Sequence, residues 1–377
     1  MGRIISCLLL LTISTFCFVQ AEAKESFKKN EDNFFSKFME NSILKKEVIL
    51  GTSWSDEKSE VSLKNSLGFE VLKKFSGKTG DWASALIQMR FVRYDHEYML
   101  MNTTKMTPAH VDGMHTFELE FHDAYFKYSG RFKGRLNFRI GHFDVPYGLE
   151  QNVDTHTTLM QLTAMRNVGF KKDWGFSIGG QLPKMDYEFS FTRGSGAEYR
   201  DRGENYLFSG RLGTPADENF SIGLSGLYGE VIDEMGVMRG MKTGAPNIWF
   251  DNTTKPGDDI IKCWRIGLDS IYLYGPFTFK EEVSYGEDVN QGVINGVLEI
   301  DYLFPGMDER LEAVFQVQSA YQDITASGGD NDTFMLLGLN YRISKEVTIQ
   351  STYRHDLQRL KNTENEDIVA MQVYCYF

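Results

Sequence analysis

Along most of this chain tight junctions alternate with open ones, and that rhythm constrains the fold more than any single motif. The tight set is Ser129-Gly130-Arg131, Pro183, Thr214 to Asp217, Leu273 to Gly275, Phe304 to Asp308 and Ser344-Lys345. The open set is 99–114, 143–172, 194–202, 231–259, 287–291, 322–331 and 357–365. Between the junctions, apolar and polar residues alternate singly. In Met185 to Arg193, Tyr187, Phe189 and Phe191 interleave with Asp186, Glu188, Ser190 and Thr192; in Arg135 to His142, Leu136, Phe138 and Ile140 interleave with Arg135, Asn137 and Arg139. A period of two marks a strand with one apolar face. Strands are therefore expected near 47–57, 60–73, 82–98, 115–128, 132–142, 173–182, 184–193, 203–213, 218–230, 260–272, 276–286, 292–303, 309–321, 332–343, 346–356 and 366–377, sixteen in all. This is the layout of an all-β fold, a transmembrane antiparallel β-barrel of about 16 strands with short periplasmic turns and long extracellular loops. A soluble sandwich, whose Greek-key connections cross between sheets, does not alternate so regularly. The turn over 74–81 is longer than the scheme wants, and the first open loop is almost absent.

The last strand agrees. Counting back in twos from the carboxy terminus gives Phe377, Cys375, Val373, Met371 and Val369, all apolar. The alternation runs to the final residue with no polar tail to blunt the edge, which a soluble protein normally avoids. Bacterial outer-membrane β-barrels resemble this, since their final strand ends on an aromatic residue, usually Phe, that marks them for insertion. The resemblance implies that Phe377 is the membrane insertion signal, read by the barrel-assembly machinery, and that outer-membrane lipid covers the apolar face.

The amino terminus has the form of a cleaved export signal. Arg3 supplies the positive end, a largely apolar run extends from Ile4 to Val19, and the small-residue site Ala21-Glu22-Ala23 follows. Residues 1–23 are read as the signal peptide, 24–46 as a periplasmic N-terminal arm and 47–377 as the barrel. The expected location is the bacterial outer membrane. No later stretch reaches the length of apolar residues a spanning helix needs. The formal net charge of −12 argues against nucleic acid as a partner. Beyond the signal only Cys263 and Cys375 remain, with no spacing that would hold a metal, haem or other cofactor. With 28 Phe, 18 Tyr, 35 Gly and only 8 Pro, the composition suits strands whose alternate residues face lipid.

Parity assigns the faces. Trp264, Ile266, Leu268, Ile222, Leu224, Tyr228, Phe277, Phe279, Leu298, Ile300, Tyr302, Phe315 and Val317 are expected to face lipid. The inward set holds Arg90, Arg135, Arg139, Arg211, Arg265, Lys280 and Arg354 against Glu118, Glu120, Asp186, Glu188, Asp269, Glu282, Glu299, Asp301 and Glu312, and neither sign dominates. Such residues either pair with one another and keep a lumen wet, or form opposed rows that screen solutes by charge.

The longest open connection, between the fifth and sixth strands, is 143–172. It begins Phe143-Asp144-Val145-Pro146-Tyr147-Gly148-Leu149-Glu150, carries Asp154 and Arg166 further on, and needs burial for Leu149, Leu159, Met160, Leu162 and Met165. Sixteen-stranded porins resemble this, with a third loop that folds into the barrel and narrows it. The stretch Arg139 to Glu150 also resembles the phosphate-selective porin-like group, in which a strand ending in Gly-Arg-Phe or similar runs into a Pro-Phe/Tyr-Gly-Leu-Glu turn. The chain departs from that group at His142, where a basic Arg is common, and in the acids Asp144, Glu150 and Asp154 that offset Arg166, Lys171 and Lys172. The resemblance implies a porin that passes small hydrophilic solutes or ions through a lumen narrowed by 143–172, and a homotrimer. Pore-lining and constriction residues are then Arg90, Arg135, Arg139, Asp144, Glu150, Asp154, Arg166, Glu188, Arg211, Arg265, Glu299 and Arg354.

Two other readings stand beside it. One is a non-conducting barrel that sheathes a periplasmic partner or binds ligands at its surface. The other is a barrel enzyme, but His355-Asp356 are strand neighbours pointing to opposite faces and cannot share a proton. No catalytic or metal site is expected.

Overall fold

The computed structural model describes residues 41–56, 61–78, 80–95, 116–130, 134–155, 158–196, 205–215, 219–232, 260–288, 291–322, 330–358 and 365–377. The signal 1–23, the arm as far as residue 40 and most of the open connections, 99–114 and 233–259 among them, lie outside the described residues. Single alternation builds β1 (Ser42–Ser55), β2 (Val61–Gly77), β3 (Gly80–Asp95), β4 (Thr116–Tyr128), β5 (Asn137–Asp144), β6 (Lys172–Leu182), β7 (Met185–Thr192) and β8 (Tyr206–Gly213). It continues through β9 (Phe220–Ile232), β10 (Ile260–Tyr274), β11 (Phe277–Asp288), β12 (Gln291–Leu303), β13 (Leu311–Gln322), β14 (Asp330–Arg342), β15 (Val347–Gln358) and β16 (Asp367–Tyr376). Each strand pairs with its neighbour in sequence, and β1 pairs antiparallel with β16, so the sheet closes on itself and leaves no edge.

The two faces differ as the parity argument requires. Ile140, Ile266 and Leu224 are 62%, 56% and 55% exposed on the outside, while Gln316, Gln318, Arg354 and Asp356 on the inside are at 0%. Apolar side chains outside and satisfied polar ones inside are what a bilayer selects, because hydrocarbon rewards the first and the wet interior accommodates the second. At the short-turn end aromatic rings cluster: Tyr272 lies 6.2 Å from both Tyr274 and Phe279, and Tyr302 lies 4.8 Å from both Phe277 and Phe304. Amphipathic rings at this level form an interfacial girdle.

Three expectations are corrected. The first strand begins at Ser42, so residues 42–46 are strand and not arm. Lys46 and Phe377 exchange backbone N–H···O=C bonds of 2.9 Å in both directions, and Lys45 lies over the Tyr376 ring at 4.9 Å. The long turn over 74–81 shrinks to a hairpin, since β2 runs on to Gly77 and β3 starts at Gly80 through a bulge at Phe75/Ser76. β5 starts at Asn137 and not near 132. Gly134 turns there with φ of +80°, a conformation that favours glycine, and its carbonyl accepts the Gln181 N–H at 3.0 Å. Arg135 is therefore exposed in the turn instead of standing on the inner wall.

Candidate functional site

The inner wall is built from ion pairs. Arg211 grips Asp269 with two nitrogens at 2.9 and 2.5 Å, and Arg265 grips Asp288 at 2.8 and 2.7 Å. Arg90 pairs with Glu47 at 2.8 Å, Arg354 with Asp356 at 2.7 Å, and Lys280 with Glu299 and Asp301 at 2.6 and 2.7 Å. Arg139 pairs with Glu188, which also accepts from Ser177 at 2.6 Å and from Gln151 at 3.2 Å. In the Arg211–Asp269 pair two guanidinium nitrogens meet the two carboxylate oxygens, an arrangement that tolerates burial a lone charge would not. Opposed rows of free charge are not what the wall presents; most of its charge is compensated in place.

Against this wall lies the connection between β5 and β6. It contains a 3₁₀ turn, Gly148–Gln151, and a one-turn helix, Ala164–Val168. Its apolar residues pack on inner-face residues of the strands. Val145, Tyr147, Val168 and Phe170 join Leu207, Leu227, Val231 and Ile261; Leu149 and Leu162 join Val297; Leu159 and Met160 join Val314, Phe334 and Leu336. The polar contacts converge on Glu282 of β11. Its carboxylate accepts the Leu149 N–H at 2.8 Å, the Thr163 hydroxyl at 2.6 Å and the Asn167 amide at 2.8 Å. Asn167 in turn accepts from Ser284 at 2.6 Å and Asn295 at 2.8 Å. Gly148, at φ of +59°, passes so close that an added Cβ would stand 2.2 Å from a Glu282 oxygen. At the far side Arg166 pairs with Asp332 at 2.7 Å, and Arg166 and Arg354 both lie over Phe334, at 5.2 and 4.2 Å.

The expected site residues divide accordingly. Arg166 and Glu150 are buried in the connection, where Lys171 meets Glu150 at 3.0 Å and burial holds the Glu150 carboxyl above its usual range against that cation. Asp144 meets Lys172 at 2.9 Å, and Asp154 is exposed. Arg90, Arg211, Arg265, Glu299 and Arg354 are buried on the inner wall, Arg139 and Glu188 are half-buried there, and Arg135 stands apart in the turn. Phe377 is exposed on the outer face. His355 bonds Asp367 at 2.7 Å and not its neighbour Asp356.

On the short-turn side of Gln151 and Asn152 lies an open cleft of about 450 Å³, floored by β4 to β7. Lys127, Asn137, Arg139, Gln151, Glu188 and Ser177 line it. Parity run straight through β4 would turn Lys127 outward. The β3–β4 register skips His122, so Phe121 faces out before the skip and Phe126 after it, and Lys127 turns inward. Thr163 and Asn167 were also missed, because an irregular segment has no period to reveal which side chains bind.

A family model described as phosphate-selective porin O and P matches residues 75–376. No curated relative matches the chain. Among solved structures it is similar to the trimer form of OmpT, an outer membrane protein of Vibrio cholerae, at 8% identity and a TM-score of 0.57, covering 89% of this chain and 99% of that one. It is similar to the anion-selective porin from Comamonas acidovorans at 12% identity and a TM-score of 0.56, covering 89% and 99%. It is also similar to the outer membrane channel DcaP of Acinetobacter baumannii at 11% identity and a TM-score of 0.55, covering 89% and 97%. At these identities the likeness is one of fold.

Proposed function

We propose a constricted diffusion pore as the working form of this chain, which belongs to the family of phosphate-selective porins O and P. The family and the closed barrel make it an outer-membrane channel for solutes or ions. The finer reading is that residues 143–172 narrow the lumen and fix its size limit. One observation carries this: the apolar residues of that segment are buried against inner-face residues of the barrel strands. Arg139 and Glu188 border the open path beside the segment that carries Asp144, Glu150, Asp154 and Arg166; Arg90, Arg211, Arg265, Glu299 and Arg354 form the buried, paired wall, and Arg135 stands at the short-turn mouth. Because most of these charges are paired, the pore discriminates weakly between small anions and cations, and its work is passive transport and not catalysis.

Export through a cleaved signal, insertion signalled by Phe377 and assembly as a homotrimer belong to the same reading. The trimer form of the Vibrio protein of like fold supports the last. The deciding experiment is planar-bilayer conductance of the full-length protein and of a variant in which 148–168 is replaced by a short Gly/Ser linker. Stepwise current that rises several-fold in the variant is expected. A current-free wild-type barrel would instead favour the sheath, and an unchanged current would remove the constriction. Phe377→Asp is expected to leave the protein exported but depleted from the outer-membrane fraction.

A further inference from the structure

The cleft below Gln151 differs from the rest of the inner wall in its cation. Lys127 of β4 stands directly across from Arg139 of β5 in the ladder. Like charges opposite each other destabilise a sheet unless something neutralises them. Arg139 has Glu188. Among the described residues no carboxylate lies within ion-pair distance of Lys127, which contrasts with the paired cations named above. Two acceptors in the same cleft are also left over. The Asn137 side-chain oxygen and the Gln151 side-chain oxygen are shielded from solvent and have no donor, although the amide nitrogens of both residues are engaged, with Gly134 and Glu188. A buried acceptor without a donor costs free energy that a bound hydroxyl or water would recover.

Resting on the pore reading above, we infer that this cleft is a solute subsite for a small anion that carries hydroxyl groups, of the sugar-acid class. The anionic end neutralises Lys127 beside Arg139, and the hydroxyls donate to Asn137 Oδ1 and Gln151 Oε1. The volume of about 450 Å³ lies within the range of pockets that hold small ligands. The position matters too: the cleft is on the short-turn side of the segment 145–171, so a solute passing inward meets it after the narrow part. Such a site would hold selected solutes briefly and interrupt the ion current while they stay. Inorganic phosphate satisfies Lys127 but, as a dianion, offers little to two unfilled acceptors, whereas a neutral sugar satisfies the acceptors and leaves the lysine alone.

The test is block of the single-channel potassium chloride current by gluconate, with glucose, acetate and inorganic phosphate as comparisons. Gluconate is expected to half-block at a lower concentration than any of the three. Lys127→Gln should raise its half-blocking concentration about ten-fold, the scale of one charge-assisted hydrogen bond. Lys127→Arg should restore most of the block, and Asn137→Ala should weaken it by a smaller factor. Equal block by glucose would remove the cation from the site, and equal block by acetate or phosphate would remove the hydroxyl acceptors; either overturns the inference. An unchanged block in Lys127→Gln overturns it as well. A protein that conducts but ignores gluconate loses the subsite and keeps the pore, while a protein that never conducts loses the pore reading itself.

Discussion

Two sectors of the same inner wall have been put to opposite uses. Along β8 to β14 the wall is covered by the connection 145–171, and its main charges are paired there: Arg211 with Asp269, Arg265 with Asp288, Arg166 with Asp332, while Glu282 accepts from three donors. Along β4 to β7, toward the short turns, the wall opens into a cleft where Lys127 and two amide oxygens are left without a partner among the described residues. Buried charges are costly unless paired, so a sector whose charges are paired is one that holds its shape. The sector with a cation to spare is the one equipped to meet a solute. The difference teaches that charge in this lumen does not by itself signal selectivity; only charge left uncompensated does.

The largest expected effect breaks the covered sector at its centre. Glu282→Ala strips the Leu149 N–H, the Thr163 hydroxyl and the Asn167 amide of their common acceptor, at a cost of roughly 3 kcal/mol shared over the connection. Hydrogen exchange of amides in 145–171 should accelerate, and the single-channel current should become larger and noisier. Slow exchange and a quiet, unchanged current would show that the apolar contacts alone hold the segment. Arg166→Ala follows closely, at about 3 kcal/mol. It leaves Asp332 without its nearest cation, although Arg354 still acts on that carboxylate. The expected readout is a partial version of the same loosening, confined to the amides around 159–168. Gly148→Ala should cost about 1–2 kcal/mol through left-handed strain and the approach of its Cβ to Glu282. In the double variant with Glu282→Ala the clash disappears, so the two effects should add to less than their sum.

How far all this could be read from residues alone follows from period. Wherever alternation persisted, sixteen strands, their order and most of their faces were legible, because each residue's face is dictated by its neighbours. Leu149, Leu159, Met160 and Leu162 announced that the segment between β5 and β6 must be buried, since four large apolar residues in an irregular stretch have no other resting place. Its partners were not legible: that Glu282 would serve Thr163 and Asn167, over 100 residues earlier, depends on a three-dimensional path no local pattern encodes. A single skipped residue did the rest. The bulge at His122 inverts the second half of β4, so counting in twos from Glu118 and Glu120 sends Lys127 to the lipid, when it is the cation in the open cleft. Turns misled in the same way, with Arg135 counted into a strand that begins two residues later.

Lys127→Gln is the smallest perturbation in stability and the sharpest for the comparison. It removes one positive charge, as Arg166→Ala does, but from a position with no carboxylate partner to strand. Nothing buried is left uncompensated, and the like-charge contact with Arg139 across the ladder is relieved, so stability should change by less than about 0.5 kcal/mol in either direction. Exchange in 145–171 should stay slow and unitary conductance should hold. The reversal potential in a potassium chloride gradient should move toward potassium, because the lumen has lost a cation that no ion pair holds, and the movement should fade as ionic strength rises and screens the site. Arg139→Gln supplies the contrast, since there Glu188 would lose its partner and the shift should come with loosening around Gln151. If Lys127→Gln destabilised the barrel while leaving the reversal potential alone, Lys127 would belong to the compensated part of the wall, and the division between the two sectors would fail at the residue that defines it.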